Sequence, residues 1–499
     1  MVVEEHRRWR CLAIAALSLF SSSAWAQQTY VVSSTAASGP GSLLAAVQAV
    51  QNNGQRQTIS VNLPSGSVIT LGGDLPQMVA SEVWVIGSGP GIAIDGNGFR
   101  IFRYIGQAMV LSNLTLRNGR STGAGCLGSN ASVLTLVFDA EFQNCRTDGT
   151  GASGSSGGAL FAFGPLQLTR TKFTGNSAYD GGIPNLGMGG GAVSFSGTSL
   201  QIDNTTFSDN FTVRTPQPAG NCVDGVGGAL VIDMPNGGNV SIARTSFTGN
   251  GHRCGSPTGA ISGQGGAIGI FGPGSGTAPT VTIDASFFGS NRADNGAGIF
   301  ARAVALTLNN SGFHDNVGRG AGAVFLTTGF GTPPTPEFRA ISSTFWRNGT
   351  SLGGFGADIT LNAAAVVRQF RNVLLAAPAA GPSCSPQSFN ADSGDAIFTT
   401  DITCFAFVAG NAVTSQFAPG NTFGLQAPAT NGGSVPTMDL SPGSVAIDNG
   451  SNSGCPPLDG RGFARPFDGD LNGINACDVG AVEFRPQVML RDGFESSTQ

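Results

Sequence analysis

Hydrophobic and polar residues alternate along many short runs of this chain. Typical runs are Leu200–Phe207, Ala229–Met234, Val281–Ser286 and Leu306–Asn310. Alternation with a period of two places one set of side chains on a buried face and the other set in solvent, which is the pattern of a β-strand. The sequence therefore predicts many strands, each about four to six residues long.

One segment near the amino end has helical spacing instead. Four apolar residues recur three or four positions apart and would share one face of a helix: Leu43, Leu44, Val47 and Val50. We expect a helix over Ser42–Gln51. The segments between the later strands lack this spacing, so the pattern as a whole predicts an all-β fold with one short helix.

Two motifs repeat through the middle of the chain. Phe-x-x-Asn begins at Phe173, Phe207, Phe247, Phe288, Phe313 and Phe345. Gly-Gly-Ala followed by an aliphatic residue alternates with it, at Gly157–Leu160, Gly190–Val193, Gly227–Leu230 and Gly265–Ile268, with looser forms at Gly296–Ile299 and Gly320–Val324. Self-similarity at a spacing of roughly 20 to 40 residues is typical of a repeat architecture.

Short strands repeated in this way predict a solenoid of parallel β-strands. Coils would stack on one another so that like residues lie above like residues. The Phe residues would then form an internal aromatic stack, and the Asn residues an amide ladder that satisfies backbone groups at a turn. Gly-Gly-Ala would form a tight bend between strands, and the helix would plug the open end of the solenoid.

The composition excludes several other classes of protein. The chain has 499 residues, of which 76 are glycine and only 11% are charged. Interior glycine destabilises a helix by about 1 kcal/mol relative to alanine, so a mostly helical fold is excluded. Glycine has no three-residue period and 40% of the residues are hydrophobic, which excludes collagen and a disordered linker. The net charge of −5, without a basic run, argues against nucleic acid as a partner.

Residues 1–26 have the features of a secretory signal peptide. Basic residues precede an apolar run from Cys11 to Phe20, and Ala24-Trp25-Ala26 has the small-x-small pattern of a cleavage site. We expect cleavage after residue 26 and export from the cytoplasm. The remainder has no apolar run of roughly 18 residues, so we do not expect the mature chain to span a membrane.

Export places the remaining cysteines in an oxidising compartment, where disulfides form. They are Cys126, Cys145, Cys222, Cys254, Cys384, Cys404, Cys455 and Cys477. None belongs to a Cys-x-x-Cys pair, which favours disulfides over metal ligands. On the order of a hundred connectivities are open to such a set. Neighbours along the chain suggest the local bridges 126–145, 222–254, 384–404 and 455–477.

These motifs resemble those of a known group of exported bacterial proteins. The succession of Gly39–Val47, Ile59–Leu71 and Leu111–Gly119 looks like the start of right-handed parallel β-helix proteins. The alternating Phe-x-x-Asn and Gly-Gly-Ala elements resemble those of polymorphic outer membrane proteins. Ser441–Phe484 is similar to the choice-of-anchor Q domain that follows such helices. The resemblance implies a right-handed parallel β-helix with a short N-terminal capping helix and a C-terminal β-rich cap module.

On this basis the chain divides into five parts. They are a signal peptide (1–26), an N-terminal cap (27–57), the β-helix (58–380), a C-terminal choice-of-anchor Q-like module (381–485) and a tail (486–499).

The C-terminal module holds a candidate metal site. Asp468, Asp470 and Asn472 offer oxygen ligands at alternate positions before a glycine, and Asp478 follows. The place of the bidentate glutamate of an EF-hand falls on Val479. We predict a weak Ca²⁺ site that stiffens the cap, with a turn held by Asx hydrogen bonds as the alternative. We expect no other cofactor.

Long insertions follow three of the Phe-x-x-Asn motifs. They cover Ser177–Gly189, Phe211–Val226 and Gly251–Gln264, and stacked coils would bring them side by side. Insertions in solenoids collect on a functional side, so these loops form the best candidate for a binding face, against the alternative of tolerant, solvated loops. The polar candidates are Tyr179, Asp180, Arg214, Asp224, His252 and Arg253.

The residues favour a non-catalytic function. A polysaccharide lyase needs Ca²⁺-binding carboxylates beside a basic residue, and a glycoside hydrolase needs carboxylates that converge on one face. The coils contain one lysine, Lys172, and few acids, and no such cluster recurs at coil spacing. We expect a secreted or outer-membrane, cell-surface scaffold that is adhesin-like and binds carbohydrate or another surface ligand. The alternative is a polysaccharide lyase or glycoside hydrolase that acts on extracellular glycans.

Overall fold

The computed structural model describes residues 27–148, 157–179, 189–214, 225–254, 263–329, 331–351, 355–362, 364–385, 394–404, 416–417 and 423–486. Within these ranges the chain forms forty β-strands and one α-helix. The strands wind into a right-handed parallel β-helix, as the sequence predicted.

The amino-terminal coils contain nine strands and the helix. Their bounds are β1 (Gln28–Val32), α1 (Leu43–Ala49), β2 (Arg56–Val61), β3 (Val68–Thr70), β4 (Met78–Val79), β5 (Glu82–Gly87), β6 (Ala93–Asp95), β7 (Phe102–Ser112), β8 (Thr115–Arg117) and β9 (Arg120–Ser121). The pairs β1–β2, β2–β5 and β5–β7 are all parallel, so coil winding begins at the first described strand.

The central coils repeat a set of four strand positions. Their strands are β10 (Leu127–Phe138), β11 (Glu141–Gln143), β12 (Arg146–Asp148), β13 (Leu160–Phe163), β14 (Leu166–Thr169), β15 (Lys172–Thr174), β16 (Ser177–Tyr179), β17 (Val193–Ser196), β18 (Ser199–Asp203), β19 (Thr206–Ser208), β20 (Phe211–Arg214), β21 (Leu230–Asp233), β22 (Asn239–Ala243), β23 (Ser246–Thr248), β24 (Gly251–Cys254), β25 (Ile268–Phe271), β26 (Thr280–Asp284), β27 (Phe287–Gly289), β28 (Arg292–Ala293), β29 (Ile299–Arg302), β30 (Ala305–Asn309), β31 (Gly312–His314), β32 (Val317–Gly318), β33 (Val324–Thr327), β34 (Glu337–Ile341), β35 (Thr344–Trp346) and β36 (Gly349–Thr350).

Four further strands close the described solenoid: β37 (Ile359–Leu361), β38 (Val366–Ala376), β39 (Gly394–Thr399) and β40 (Gln416–Phe417). The first three positions of each coil join a 32-stranded sheet, whereas the fourth position forms a separate eight-stranded sheet. That smaller sheet contains β9, β12, β16, β20, β24, β28, β32 and β36.

Helix α1 covers the amino end of the solenoid, where the sequence predicted a capping helix. The hydroxyl of Ser42 accepts a hydrogen bond from the backbone N–H of Ala45, which satisfies a donor of the first turn. Val50 has extended backbone angles and ends the helix. Leu43 and Val47 are buried against the first coils. No helix in the described part of the chain is long and apolar enough to cross a membrane.

Phenylalanine rings form one continuous stack inside the solenoid. The rings of Phe142, Phe173, Phe207, Phe247, Phe288, Phe313 and Phe345 lie one above the next. Neighbouring centroids are 4.7 to 4.9 Å apart and the ring planes are within 9° of parallel. The predicted aromatic stack is confirmed, and Phe142 extends it by one coil beyond the repeated motif.

A column of asparagine amides runs beside the aromatic stack. The Oδ1 atom of Asn250 accepts hydrogen bonds from the backbone N–H and from Nδ2 of Asn210, at 3.0 and 2.9 Å. Its own Nδ2 donates to Asn291 Oδ1 and to the carbonyl of Phe207, both at 3.0 Å. The same contacts recur from coil to coil, and the predicted amide ladder is confirmed.

Different residues occupy the two ends of this amide column. At the amino end Cys145 stands where the motif has asparagine, and its backbone N–H donates to Asn176 Oδ1 at 2.9 Å. At the carboxyl end Nδ2 of Asn348 donates to the carboxylate of Asp358 at 2.9 Å. Asp358 is completely buried, so a carboxyl group closes the column inside the protein.

The Gly-Gly-Ala motif forms the bend that precedes the first strand of a coil. A Cβ atom on Gly228 would lie 2.0 Å from the carbonyl oxygen of Gly266 in the next coil, which leaves no room for a side chain. Ala229, the next residue, is fully buried among the interior side chains. Close approach of successive coils therefore explains why small residues recur here.

Three disulfides lie within the described residues, and each joins neighbouring cysteines: Cys126–Cys145, Cys384–Cys404 and Cys455–Cys477. Their Cα atoms are 5.7, 5.0 and 6.5 Å apart, respectively. These are three of the four pairings suggested by the sequence. The fourth includes Cys222, which lies outside the described residues. Disulfides are typical of proteins in an oxidising compartment.

The carboxyl-terminal module packs along the side of the last coils. Val479 and Val482 share a hydrophobic cluster with Leu374 of β38 and Phe398 of β39. The backbone N–H of Gly480 donates to the carbonyl of Asn372 at 3.0 Å. Residues 423–486 contain turns and isolated antiparallel bridges, such as the one between Leu425 and Leu440.

The parallel sheet extends beyond the boundaries expected from the sequence. Strand β1 lies within the range assigned to the N-terminal cap, yet it pairs with β2 in register. Strand β39 lies beyond residue 380, yet it pairs with β38. The backbone of a coil can continue without the repeated Phe and Asn residues. The signal peptide and residues 487–499 of the tail lie outside the described residues.

Candidate functional site

The outer surface of the eight-stranded sheet carries an unusual set of side chains. The strands of this sheet begin directly after the amide column, and alternate residues point inwards and outwards. Positions one and three after the column residue are therefore outward. We call the charged and aromatic residues at these outward positions the arginine face. They are Arg120, Arg146, Asp148, Tyr179, Phe211, Arg253, Arg292, Asp294 and Arg319.

Two arginines of this face stack on aromatic rings. The Cζ atom of Arg146 lies 3.6 Å from the ring centroid of Tyr179. The Cζ atom of Arg253 lies 5.1 Å from the ring centroid of Phe211. A guanidinium over an aromatic face is attracted by the quadrupole of the ring. These contacts hold the planar groups in fixed orientations on neighbouring coils.

Other arginines of the face bind its two aspartates. Arg146 Nε lies 2.6 Å from Asp148 Oδ1, and Arg120 Nε binds the other oxygen of the same carboxylate. On a later coil Arg319 Nε lies 3.1 Å from Asp294 Oδ1. The side chain of Arg319 is 64% exposed, so this pair remains open to solvent.

Arg292 is exposed, and its strand β28 lies between β24, which carries Arg253, and β32, which Arg319 follows. It stands beside Gly251 of β24 in the sheet, next to the strand that carries Arg253. Burial, together with the positive charge of Arg292, lowers the pKa of Arg253. No described residue forms an ion pair with Arg292.

The arginine face has an excess of positive charge. It holds five arginines and two aspartates, whereas the chain as a whole has a net charge of −5. On other parts of the solenoid arginines also bind carboxylates, as in Arg170 with Asp139 at 2.6 Å and Arg244 with Asp203 at 2.5 Å. The arginine face is thus a concentrated cationic surface on an acidic protein.

The structure places the predicted loop candidates differently from the sequence. Tyr179 and Arg253 belong to β16 and β24 and lie on the arginine face, so they are strand residues rather than loop residues. Arg214 is the last residue of β20, and its side chain is not among those that the structure describes. Asp180 and Asp224 lie outside the described residues.

The expectation that His252 is a surface candidate is wrong. Its side chain is completely buried in the eight-stranded sheet. Nδ1 lies 2.5 Å from the hydroxyl of Thr212, and Nε2 lies 2.9 Å from the carbonyl of Gln264. The ring therefore donates from Nε2 to the backbone and accepts at Nδ1 from the hydroxyl. Its contact with the carbonyl of Gln264 holds a bend in place inside the protein.

Sequence reasoning missed most of the arginine face because it searched the insertions rather than the strands before them. Arg292 and Arg319 are one and three residues beyond Asn291 and Asn316. Counting outward positions from every Asn of the motif would have found them. Arg120, which precedes the first repeat, could be placed only by its strand pairing with Arg146.

The predicted calcium ligands are only partly brought together. Carboxylate oxygens of Asp468, Asp470 and Asp448 lie within 4.8 Å of one another. Asp448, which the sequence did not suggest, joins because the backbone N–H of Asp470 donates to its Oδ2 at 2.7 Å. Burial raises the pKa of Asp448, and the charges of Asp470 and Asp468 add to this effect. Three clustered carboxylates are suited to a hard cation such as Ca²⁺.

Asn472 and Asp478 have other roles. Nδ2 of Asn472 donates to Asp470 at 2.9 Å, and its backbone N–H donates to Asp468 at 3.0 Å, which is the Asx-turn arrangement. Asp478 is buried and accepts from the backbone N–H of Asp448 at 2.8 Å, behind the cluster. Burial and the charge of Glu483 raise the pKa of Asp478.

A cavity of about 930 Å³ lies next to this cluster in the C-terminal module. Leu440, Ile447 and Phe484 contribute apolar surface to it. Its innermost charged groups bind each other, since Arg461 Nη1 lies 3.0 Å from Asp439 Oδ2. The cavity lining thus combines apolar walls with an already paired arginine.

No protein-family model matches this chain. None of the curated proteins matches it in sequence. Among solved structures, the pectate lyase Pel9A is similar, with a TM-score of 0.42 and 12% sequence identity over 93% of this chain and 97% of that chain. At this level of identity the likeness concerns the fold alone.

Proposed function

We propose that this protein is an exported β-helix scaffold that binds an extracellular polysaccharide on the arginine face. The observation that carries the proposal is the pairing of guanidinium groups with the rings of Tyr179 and Phe211 on adjacent strands. Aromatic rings cover the apolar faces of sugar rings, and fixed guanidinium groups donate hydrogen bonds to hydroxyl and acidic oxygens. The strands of this sheet follow one another at a constant spacing, which suits a ligand built of repeated units.

A non-catalytic role fits the carboxylates of this face. Asp148 is bound by Arg120 and Arg146, and Asp294 is bound by Arg319. An acid or base in glycan cleavage must be positioned against the substrate, whereas these groups hold neighbouring side chains. The alternative function, a polysaccharide lyase or glycoside hydrolase that uses the same surface, remains part of the test.

Surface association and relationship to the polymorphic outer membrane and choice-of-anchor Q proteins belong to the same proposal. They are supported by the spacing of Phe-x-x-Asn and Gly-Gly-Ala and by the residues of Ser441–Phe484. The three disulfides support an extracellular location. Fractionation of cells that express the full chain would show whether it stays at the surface or is released.

Binding and turnover can be measured together on the purified full chain. It is incubated with neutral and acidic polysaccharides, and both the bound protein and newly formed sugar ends are quantified. We expect retention on at least one polysaccharide without product, and loss of retention in Tyr179→Ala but not in Phe163→Ala. Phe163 is a suitable control because it is 54% exposed on another strand position, β13.

Two results would contradict the proposal. Absence of binding to every polysaccharide would remove it. Formation of new sugar ends that stops when Asp148 or Asp294 is changed to asparagine would replace it by the enzymatic alternative.

A further inference from the structure

Arg292 is the residue of the arginine face that is best placed to bind an external anion. Its side chain is exposed, and within the described ranges it has no acidic partner. Arg319 of the next coil is also exposed, although it binds Asp294. A surface cation without a partner is hydrated by water alone, and it is available to an anion from outside.

The neighbouring strand adds positive charge beside Arg292, whereas Asp294, two residues further on, is bound by Arg319. Strand β24 lies directly beside β28 and carries Arg253, whose pKa is lowered by burial and by the charge of Arg292. Proximity of two cations is unfavourable, and an anion between them would relieve it.

The face already contains two carboxylates held by arginines. Asp148 has one oxygen on Arg146 and the other on Arg120 of the preceding coil. Nη2 of Arg319 donates to Asp294 Oδ2 at 3.4 Å, and Nε of Arg319 lies 3.1 Å from Asp294 Oδ1. A guanidinium group forms charge-assisted hydrogen bonds with carboxylate oxygens, and its planar fork can bind both oxygens of one carboxylate. The same geometry is available to a carboxylate of a ligand at Arg292.

We infer that the polysaccharide bound by the arginine face is a linear polyuronate, that its chain runs along the solenoid axis, and that Arg292 binds one of its carboxylates. This inference rests on the proposed function. The cationic and aromatic groups come from successive coils, so their line follows the axis. Coils of a parallel sheet are ~4.8 Å apart, close to the length of one sugar ring, so successive sugars would meet successive coils.

The inference is tested by binding of the full chain to alginate and polygalacturonate. Their methyl esters are the matched neutral ligands, and dextran sulfate is a polyanion without carboxylates. We expect tight binding to the polyuronates, weak binding to the esters and a marked loss of affinity as salt is raised. Arg292→Gln should weaken polyuronate binding about tenfold, as expected for one charge-assisted contact.

Arg170→Gln is the matched control. The side chain of Arg170 is 52% exposed, which is similar to the exposure of the other surface arginines. Arg170 directly follows β14 and binds Asp139. We expect this variant to bind like the unaltered protein. Thermal unfolding of both variants shows whether either change disturbs the fold.

The outcomes separate the inference from the proposed function. Equal binding of polyuronates and their esters, or preference for dextran sulfate, would overturn the polyuronate inference and leave a polysaccharide-binding scaffold. Equal losses in Arg292→Gln and Arg170→Gln would also overturn it, because only total charge would then matter. Absence of binding to any polysaccharide would remove the proposed function itself.

Discussion

Nδ2 of Asn348 donates a hydrogen bond to the carboxylate of Asp358 at 2.9 Å, which ends the amide column with an ionisable group. Every earlier member of the column is followed by another amide. Asp358 is completely buried, and Asp401 lies close enough for its charge to act on it. Burial, with the charge of Asp401 in addition, raises the pKa of Asp358 to about 7.

This pKa predicts a pH-dependent stability. The folded protein holds the proton of Asp358 more tightly than the unfolded chain does, so stability should fall as pH rises from about 4 to about 7 and then level off. Asp358→Asn keeps the hydrogen bond acceptor for Asn348 and removes the charge. We expect the variant to be more stable than the unaltered protein at about pH 8, by on the order of a few kcal/mol, and similar to it at about pH 4.

Chemical denaturation across this pH range, followed by circular dichroism, measures the difference. If the two proteins respond to pH in the same way, Asp358 is not the group that titrates.

The amide column predicts a large effect of a single side chain. Asn250→Ala removes the acceptor of two buried donors on Asn210, the backbone N–H and Nδ2. Leaving buried donors unpaired should cost about 2–4 kcal/mol. Asn239→Ala is the control, because Asn239 is exposed at the start of β22 and its loss should change stability by less than about 0.5 kcal/mol. Similar denaturation midpoints for Asn250→Ala and Asn239→Ala would contradict the prediction that the amide column stabilises the fold.

Cys145 forms a disulfide at the position where the later coils carry the asparagine of the amide column. Variants of Cys145 can therefore test whether an amide would stabilise this position in place of the disulfide. Its disulfide with Cys126 spans a sequence separation of 19, so Cys126→Ala with Cys145→Ala should cost about 3 kcal/mol. Cys126→Ala with Cys145→Asn should cost less, because an amide there can donate to the carbonyl of Leu116, 3.6 Å from the present Sγ. Denaturation of both double variants under oxidising conditions makes the comparison. Equal losses would mean that the column cannot be extended by one coil.

The calcium prediction concerns the cluster that the structure shows rather than the ligand set expected from the sequence. Calcium should raise the melting temperature of the full chain relative to chelator, and Asp448→Asn should abolish the rise, since it removes one of three clustered carboxylates. Asp74→Asn, an exposed change near the first coils, should leave the rise intact. Equal melting temperatures with calcium and with chelator would reject the site.

Sequence alone was sufficient for the repetitive interior. Parallel coils in register place each residue on its counterpart, so a recurring Phe-x-x-Asn implies a stack of rings such as Phe207 on Phe247, and a column of amides. The small residues of Gly-Gly-Ala follow from the same repetition, since each bend meets the bend of the next coil. Likewise, the apolar spacing after Ser42 predicted helix α1 to within two residues at its carboxyl end.

The surface was decided by the tertiary structure. Arg120, Arg146, Arg253, Arg292 and Arg319 are separated by unequal lengths of chain, and only the winding of the coils aligns them. In the same way, Asp448 reaches Asp468 and Asp470 through a turn that no local pattern encodes. The sequence by itself determined the inside of this protein, because like residues stack at a repeated register. Which outward side chains meet depends on how many residues each loop consumes between coils, and this is settled only when the chain has folded.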